Sequence, residues 1–134
     1  MEFPKEYPRM LGTAAVVRDA AGRILLHLRN KPPDQGRWEL FGTYVKPREL
    51  VVDAVKRRLQ EHAGIGEAKA IRFTGRYYDA PERNPGLYCV ALAFEVIIDP
   101  KAATNMKECR WVTRDELGFL DIIPHDKEVI AEML

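Results

Sequence analysis

Residues 38–65, WELFGTYVKPRELVVDAVKRRLQEHAGI, constrain this chain more than any other stretch. The first part, 38–45, is rich in aromatic and β-branched residues and reads as extended. Lys46, Pro47 and Arg48 then mark a turn, because proline presets φ for a turn position and cannot donate to a ladder. From 49 to 63 the apolar side chains Val51, Val52, Val55 and Leu59 recur at helical spacing and form one stripe, and Gly64 supplies the stop. The spacing predicts a helix over 49–63. On such a helix, positions 58, 61 and 62 share one face.

The remaining segments are shorter. Residues 11–18 and 23–29 (RILLHLR) read as two strands joined by the turn residues 19–22, a hairpin. The prolines and glycine of 30–36 mark a surface loop. Residues 68–79 and 87–98 read as strands on either side of the turn-rich 80–86. In the second of these, Tyr88, Val90, Leu92, Phe94, Val96 and Ile98 alternate with mostly small residues, which suits a central strand covered on both faces. A short strand over 108–112 follows. Thr113 with Glu116 is a capping box that opens a short helix. A last helix over 124–134 has Pro124 near its first position. Patterning therefore predicts an α/β chain, a mixed sheet with helices packed on it.

Composition narrows the function classes. A length of 134 residues with 46% apolar and 31% charged residues fits one domain, 1–134, able to bury its own core. Twenty-one basic against twenty acidic residues leave a net charge of +1. That balance predicts neither a general nucleic-acid partner nor a membrane surface. Cys89 and Cys109 lie in separate apolar segments without a C-x-x-C pair, so two buried free thiols in a reducing cytosol are expected. The opening Met-Glu-Phe-Pro-Lys-Glu has acids and no apolar core, and the longest apolar run, 87–98, holds Glu95 and is too short to span a bilayer. The expectation is a cytoplasmic protein.

The 38–65 stretch resembles the Nudix signature, G-x5-E-x7-R-E-U-x-E-E-x-G-U with U a bulky aliphatic residue. The spacing is intact: Glu49, Arg57, Leu59, Glu61, Gly64 and Ile65 match. Thr43 stands where the signature has its glycine, Arg58 where it has glutamate, and His62 where it has its last glutamate. Lys46 and Arg48 replace the acid and glycine that commonly fill the turn. Outside the box, Arg29, Lys31-Pro-Pro and Trp38, the loop 78–85 and the segment 111–117 resemble the branch that cleaves ADP-ribose. The resemblance implies an α+β sandwich, a mixed β-sheet between helices. It also implies a small-molecule partner, a nucleoside diphosphate linked to another group, with homodimerisation left open.

Activity is the harder expectation. In the family, carboxylates on the 58, 61, 62 face hold Mg²⁺ or Mn²⁺, and a water attacks phosphorus. Where the signature carries four acids and one arginine, this chain has Glu49, Arg57, Arg58, Glu61 and neutral His62, whose charges cancel. Exchanging a ligand carboxylate for a guanidinium turns attraction for the ion into repulsion, about 4 kcal/mol for a unit pair ~4 Å apart at an effective dielectric of about 20. Two outcomes stay open: metal-dependent hydrolysis, or a hydrolytically silent domain that binds a nucleotide ligand or a partner and needs no cofactor. For hydrolysis the catalytic candidates are Glu61 and Glu49, with Glu61 and His62 as metal ligands and an outside acid among Glu82, Glu95 and Glu108. Arg58, Arg57, Arg48, Lys46, Arg29 and Tyr44 are candidate ligand contacts. Arg57 and Glu49 also suit a bracing role, and His27 reads as a packed strand residue.

Overall fold

The computed structural model describes residues 9–79 and 88–134. Its elements run β1 (Arg9–Arg18), β2 (Ile24–Leu28), β3 (Trp38–Glu39), β4 (Phe41–Tyr44), α1 (Val51–Ala63), β5 (Ala70–Asp79), β6 (Tyr88–Ile97), β7 (Cys109–Val112) and α2 (Pro124–Met133). Two 3₁₀ turns, Pro100–Ala102 and Asp115–Phe119, lie between β6 and α2. The strands form one mixed sheet of order β3-β2-β1-β6-β5, with β4 paired to β1 and β7 to β2. Among the strands of the described residues only β1 and β6 run parallel. The crossover between them includes α1, as parallel neighbours require.

Alternation along the strands sends side chains to two separate cores. Ala15, Val17, Leu25, Phe41, Phe94 and Val96 pack under Val55, Leu59 and Ala63 of α1. Val16, Ile24, Leu26, Leu40 and Val112 pack under Val129 and Ile130 of α2. The sheet is thus sandwiched between two helices, as expected. Burying a side chain such as Leu59 contributes on the order of 2 kcal/mol. Among the described residues no helix is long and apolar enough to cross a membrane.

Some local features differ from the sequence reading. Helix α1 starts at Val51 rather than at 49, behind an extended Leu50 that caps nothing with its side chain. Glu49 is instead held back in the turn by Arg57. Gly64 ends α1 in the left-handed region at φ 64, and a Cβ there would lie 2.3 Å from Thr104 Oγ1. The Thr113–Glu116 capping box forms in both directions, at 3.3 Å and 3.2 Å, but opens a 3₁₀ turn instead of an α-helix. Cys89 is buried, whereas Cys109 is half-buried. The connection 80–87, with Glu82, lies outside the described residues.

Candidate active site

The turn before α1 is built by one carboxylate and one guanidinium. Arg57 donates to both oxygens of Glu49, from Nε at 2.9 Å and Nη2 at 3.0 Å, and Glu49 also accepts the Lys46 backbone N–H at 3.0 Å. Nη2 of Arg57 reaches the Tyr44 carbonyl at 3.0 Å, and Nη1 reaches Glu61 Oε1 at 3.2 Å. The Arg57 hydrogen bonds, followed by the Lys46 N–H, pull the Glu49 carboxyl down to about 2. Glu49 in turn raises the Arg57 guanidinium above its usual value. This explains the late helix start: the Glu49 side chain is engaged across the turn, so its backbone does not enter the first helical turn. Arg48, at the turn's tip, adopts φ 64. That left-handed conformation costs a non-glycine residue about 1 kcal/mol.

One residue on, Arg58 points into the gap between α1 and β4. Its Nε donates to the Gly42 carbonyl at 2.9 Å and its Nη2 to Thr43 Oγ1 at 3.1 Å. Its Nη1 donates to Glu61 Oε2 at 3.2 Å and to His62 Nε2 at 2.8 Å. Four of the five guanidinium N–H donors are therefore engaged. Strand β4 supplies two of the acceptors because it pairs with β1, Gly42 opposite Ala14 and Thr43 opposite Thr13. Glycine is needed in that pairing, since a Cβ at Gly42 would lie 3.0 Å from the Thr13 carbonyl. Burial draws the Arg58 pKa down, and the Glu61 carboxylate opposes the shift.

Because Arg58 donates to Nε2, His62 is neutral and carries its proton on Nδ1. Burial, then the neighbouring His27 and Arg58, push the His62 pKa down to about 4. The His62 ring stacks on His27 with centroids 3.9 Å apart. His27 Nδ1 lies 3.1 Å from Glu39 Oε1, its partner in the β2–β3 register. Arg29 Nη1 is 3.1 Å from the other Glu39 oxygen. Burial raises the Glu39 pKa, but the hydrogen bonds from His27 and Arg29 outweigh it and hold the group below its ordinary value.

Several of the proposed site residues thus fall into two groups joined by Glu61. Arg57, Glu49 and Glu61 meet in the brace, and Arg58, Glu61 and His62 meet beside it. Glu61 and His62 meet at Arg58 Nη1, which donates to Glu61 Oε2 and to His62 Nε2, while the other Glu61 oxygen faces Arg57 and the His62 ring stacks on His27. Arg29 is engaged by Glu39 and by the Pro33 carbonyl. Lys46, Arg48 and Tyr44 are exposed at the turn and the end of β4. Of the outside acids, Glu108 lies 3.5 Å from His27 Nε2, while Glu95 pairs with Arg18 and Arg72. Glu39 was not anticipated. Its signal was a glutamate between Trp38 and Leu40, facing the lone histidine of RILLHLR.

Mg²⁺, the ion the resemblance implies, needs several oxygen ligands carrying net negative charge. The one carboxylate on the 58, 61, 62 face is spanned by two guanidiniums, and Arg58 already fills the space among the Gly42, Thr43 and Glu61 oxygens. The residues present do not fit that ion.

The NUDIX domain family matches residues 8–133. This chain belongs to the Nudix family. A Mycobacterium tuberculosis protein provisionally named 8-oxo-dGTP diphosphatase 2 is 30% identical over 120 residues, which cover 89% of this chain and 83% of the relative. Among solved structures, the NUDIX domain of Shewanella oneidensis NrtR complexed with ADP ribose superposes with a TM-score of 0.82 at 17% identity, covering 98% of this chain and 91% of that one. A bifunctional NMN adenylyltransferase/ADP ribose pyrophosphatase from Francisella tularensis, complexed with AMP and a Mn ion, gives a TM-score of 0.73 at 18% identity over 97% of this chain and 42% of that one. These likenesses support the fold of this Nudix domain.

Proposed function

We propose that this Nudix domain binds a nucleoside diphosphate derivative similar to ADP-ribose and does not hydrolyse it by a metal-dependent route. The observation that carries the reading is the Arg58 guanidinium, which occupies the oxygen-lined gap between β4 and α1. A fixed positive charge there neutralises Glu61 and repels a divalent ion, which removes the Lewis acid that would polarise the diphosphate and activate water. The same charge, with the exposed Lys46 and Arg48 in front of α1, favours an anionic ligand. Arg48 supports this, because it places a cationic side chain at a backbone position that favours glycine. Tyr44, 37% exposed beside that turn, offers a face for a base or ribose.

Calorimetry with ADP-ribose tests the binding, and chromatography for AMP with Mg²⁺ or Mn²⁺ tests the chemistry. Binding that survives EDTA, without AMP formation and without a Mg²⁺ site tighter than millimolar, is expected. Metal-dependent cleavage of ADP-ribose would end the reading. So would the absence of binding to every nucleotide in a panel that includes 8-oxo-dGTP.

A further inference from the structure

Behind Arg58 lies a second polar group that the nucleotide reading does not use. His27, Glu39 and His62 bring one donor atom each within 4.8 Å of one another, the one such group of three among the described residues. His27 is 4% exposed and Glu39 8% exposed, and the Phe41 ring flanks both imidazoles at 6.2 Å and 6.3 Å. We propose that these three side chains form a binding site for a borderline transition cation such as Zn²⁺ or Co²⁺, which shares only position 62 with the acidic face that the family signature uses and takes its other two ligands from β2 and β3.

Three observations point to a ligand. His62 Nδ1 is buried without a hydrogen-bond partner. An orphaned buried polar atom is costly and calls for a missing partner. The donor set, two imidazole nitrogens and a carboxylate oxygen, suits Zn²⁺ and Co²⁺ far better than Mg²⁺. The outer partners are also in place. Glu108 Oε2 lies 3.5 Å from His27 Nε2, where it would accept the ring N–H once Nδ1 faces the metal, and Arg29 holds the second oxygen of Glu39. A carboxylate behind a ligating histidine fixes its tautomer and orientation.

Ligation has a consequence for Arg58. With a metal on His62 Nδ1, the ring proton moves to Nε2, which then faces the Arg58 Nη1 donor now 2.8 Å away. Two donors repel, so loading the site detaches Arg58 from His62. Because each imidazole lone pair lies in its ring plane, the rings now stacked 3.9 Å apart at 21° must splay for both to face one ion. Metal binding here and the locked arrangement of Arg58 exclude each other.

The test uses the whole chain without nucleotide. Co²⁺ titrations followed by visible absorption, and Zn²⁺ titrations by calorimetry, should show one site per chain that excess Mg²⁺ does not empty. In the wild type, Zn²⁺ should shift the imidazole nitrogen resonances of His27 and His62 and leave those of His125, the third histidine, in place. His27→Gln and Glu39→Gln should each weaken binding by at least about tenfold, and thermal melts check that both variants fold. Arg58→Gln should bind more tightly, because the glutamine carbonyl accepts the Nε2 proton. The proposal is overturned if Co²⁺ and Zn²⁺ bind no more tightly than millimolar, or if the resonances of His27 stay unmoved. It is also overturned if His62→Gln abolishes binding while His27→Gln and Glu39→Gln leave it intact, since that would place the ion on His62 and Glu61. An Arg58→Gln variant that binds no more tightly overturns the Nδ1 ligation.

Discussion

Arg57 and Arg58 are neighbours in sequence, and the regions they organise could hardly differ more. Arg57 faces the turn before α1, where its partners are Glu49, the Tyr44 carbonyl and Glu61. That region is a scaffold: a charge pair spanning eight residues holds the loop on the helix. Arg58 faces the gap toward β4, where its partners are a carbonyl, a hydroxyl, a carboxylate and an imidazole. Those groups are of the kinds that ligate cations. The same side chain therefore acts as a rivet in one region and as a resident cation in the other. The difference lies in which acceptors the fold presents on each side.

The largest expected effect concerns the scaffold. Arg57→Ala removes both guanidinium hydrogen bonds to Glu49, leaving it the Lys46 N–H, and removes the one to the Tyr44 carbonyl, so the midpoint of urea denaturation should fall. A change near zero would mean that the turn holds without its rivet.

The next effect concerns the other side. Arg58→Glu with His62→Glu rebuilds three carboxylates at i, i+3 and i+4. Metal-dependent cleavage of ADP-ribose should then rise by at least about tenfold, roughly 1.4 kcal/mol of barrier, in an assay for AMP release. Thr43→Gly extends the experiment, since the Thr43 hydroxyl now docks Arg58. A folded, Mg²⁺-binding variant that stays inert on every dinucleotide would show that Arg58 and His62 are not what sets the hydrolytic activity of this site.

Arg48→Gly probes the turn's tip. Relief of the φ 64 conformation should stabilise the fold by roughly 0.5–1 kcal/mol. Calorimetry should show weaker ADP-ribose binding at the same time. Stabilisation without loss of affinity would remove Arg48 from the ligand contacts.

The smallest effect is a pH dependence. Glu49 is drawn from 4.5 to about 2 in the folded state, chiefly by its hydrogen bonds from Arg57. A depressed carboxyl contributes stability that is complete above the unfolded value and is lost as pH falls toward the folded one. The wild type should therefore lose stability more steeply than Glu49→Gln between about pH 5 and about pH 3 in a series of urea melts. Parallel curves would mean that Glu49 is not held by Arg57 in solution.

Much of this was legible from local pattern. The hairpin of β1 and β2, the apolar stripe of α1 and the Gly64 stop each depend on residues close in sequence, and each formed where the pattern put it. The brace between Glu49 and Arg57 was also readable, as the role that the resemblance to the Nudix signature implies for those two positions. The group of His27, Glu39 and His62 was not. It requires β2 to pair with β3 in a particular register and α1 to lie across both, and no spacing in the chain encodes that meeting. For the same reason Glu108 could not be preferred over Glu95 as the acid beside His27: β7 reaches His27 only through its pairing with β2.

The parallel ladder of β1 and β6 sets an order of events for a growing chain. Its partners are 79 positions apart, from Arg9 with Tyr88 to Arg18 with Ile97. At about 5–20 residues per second, the first strand emerges roughly 4–16 s before the strand that completes it is made. During that interval β1 can rest only on its early neighbours, β2 and β4, with its other edge open to any passing strand. Folding is therefore gated by synthesis of the second half, and truncation before residue 97 would leave an adhesive nascent chain rather than a smaller working domain.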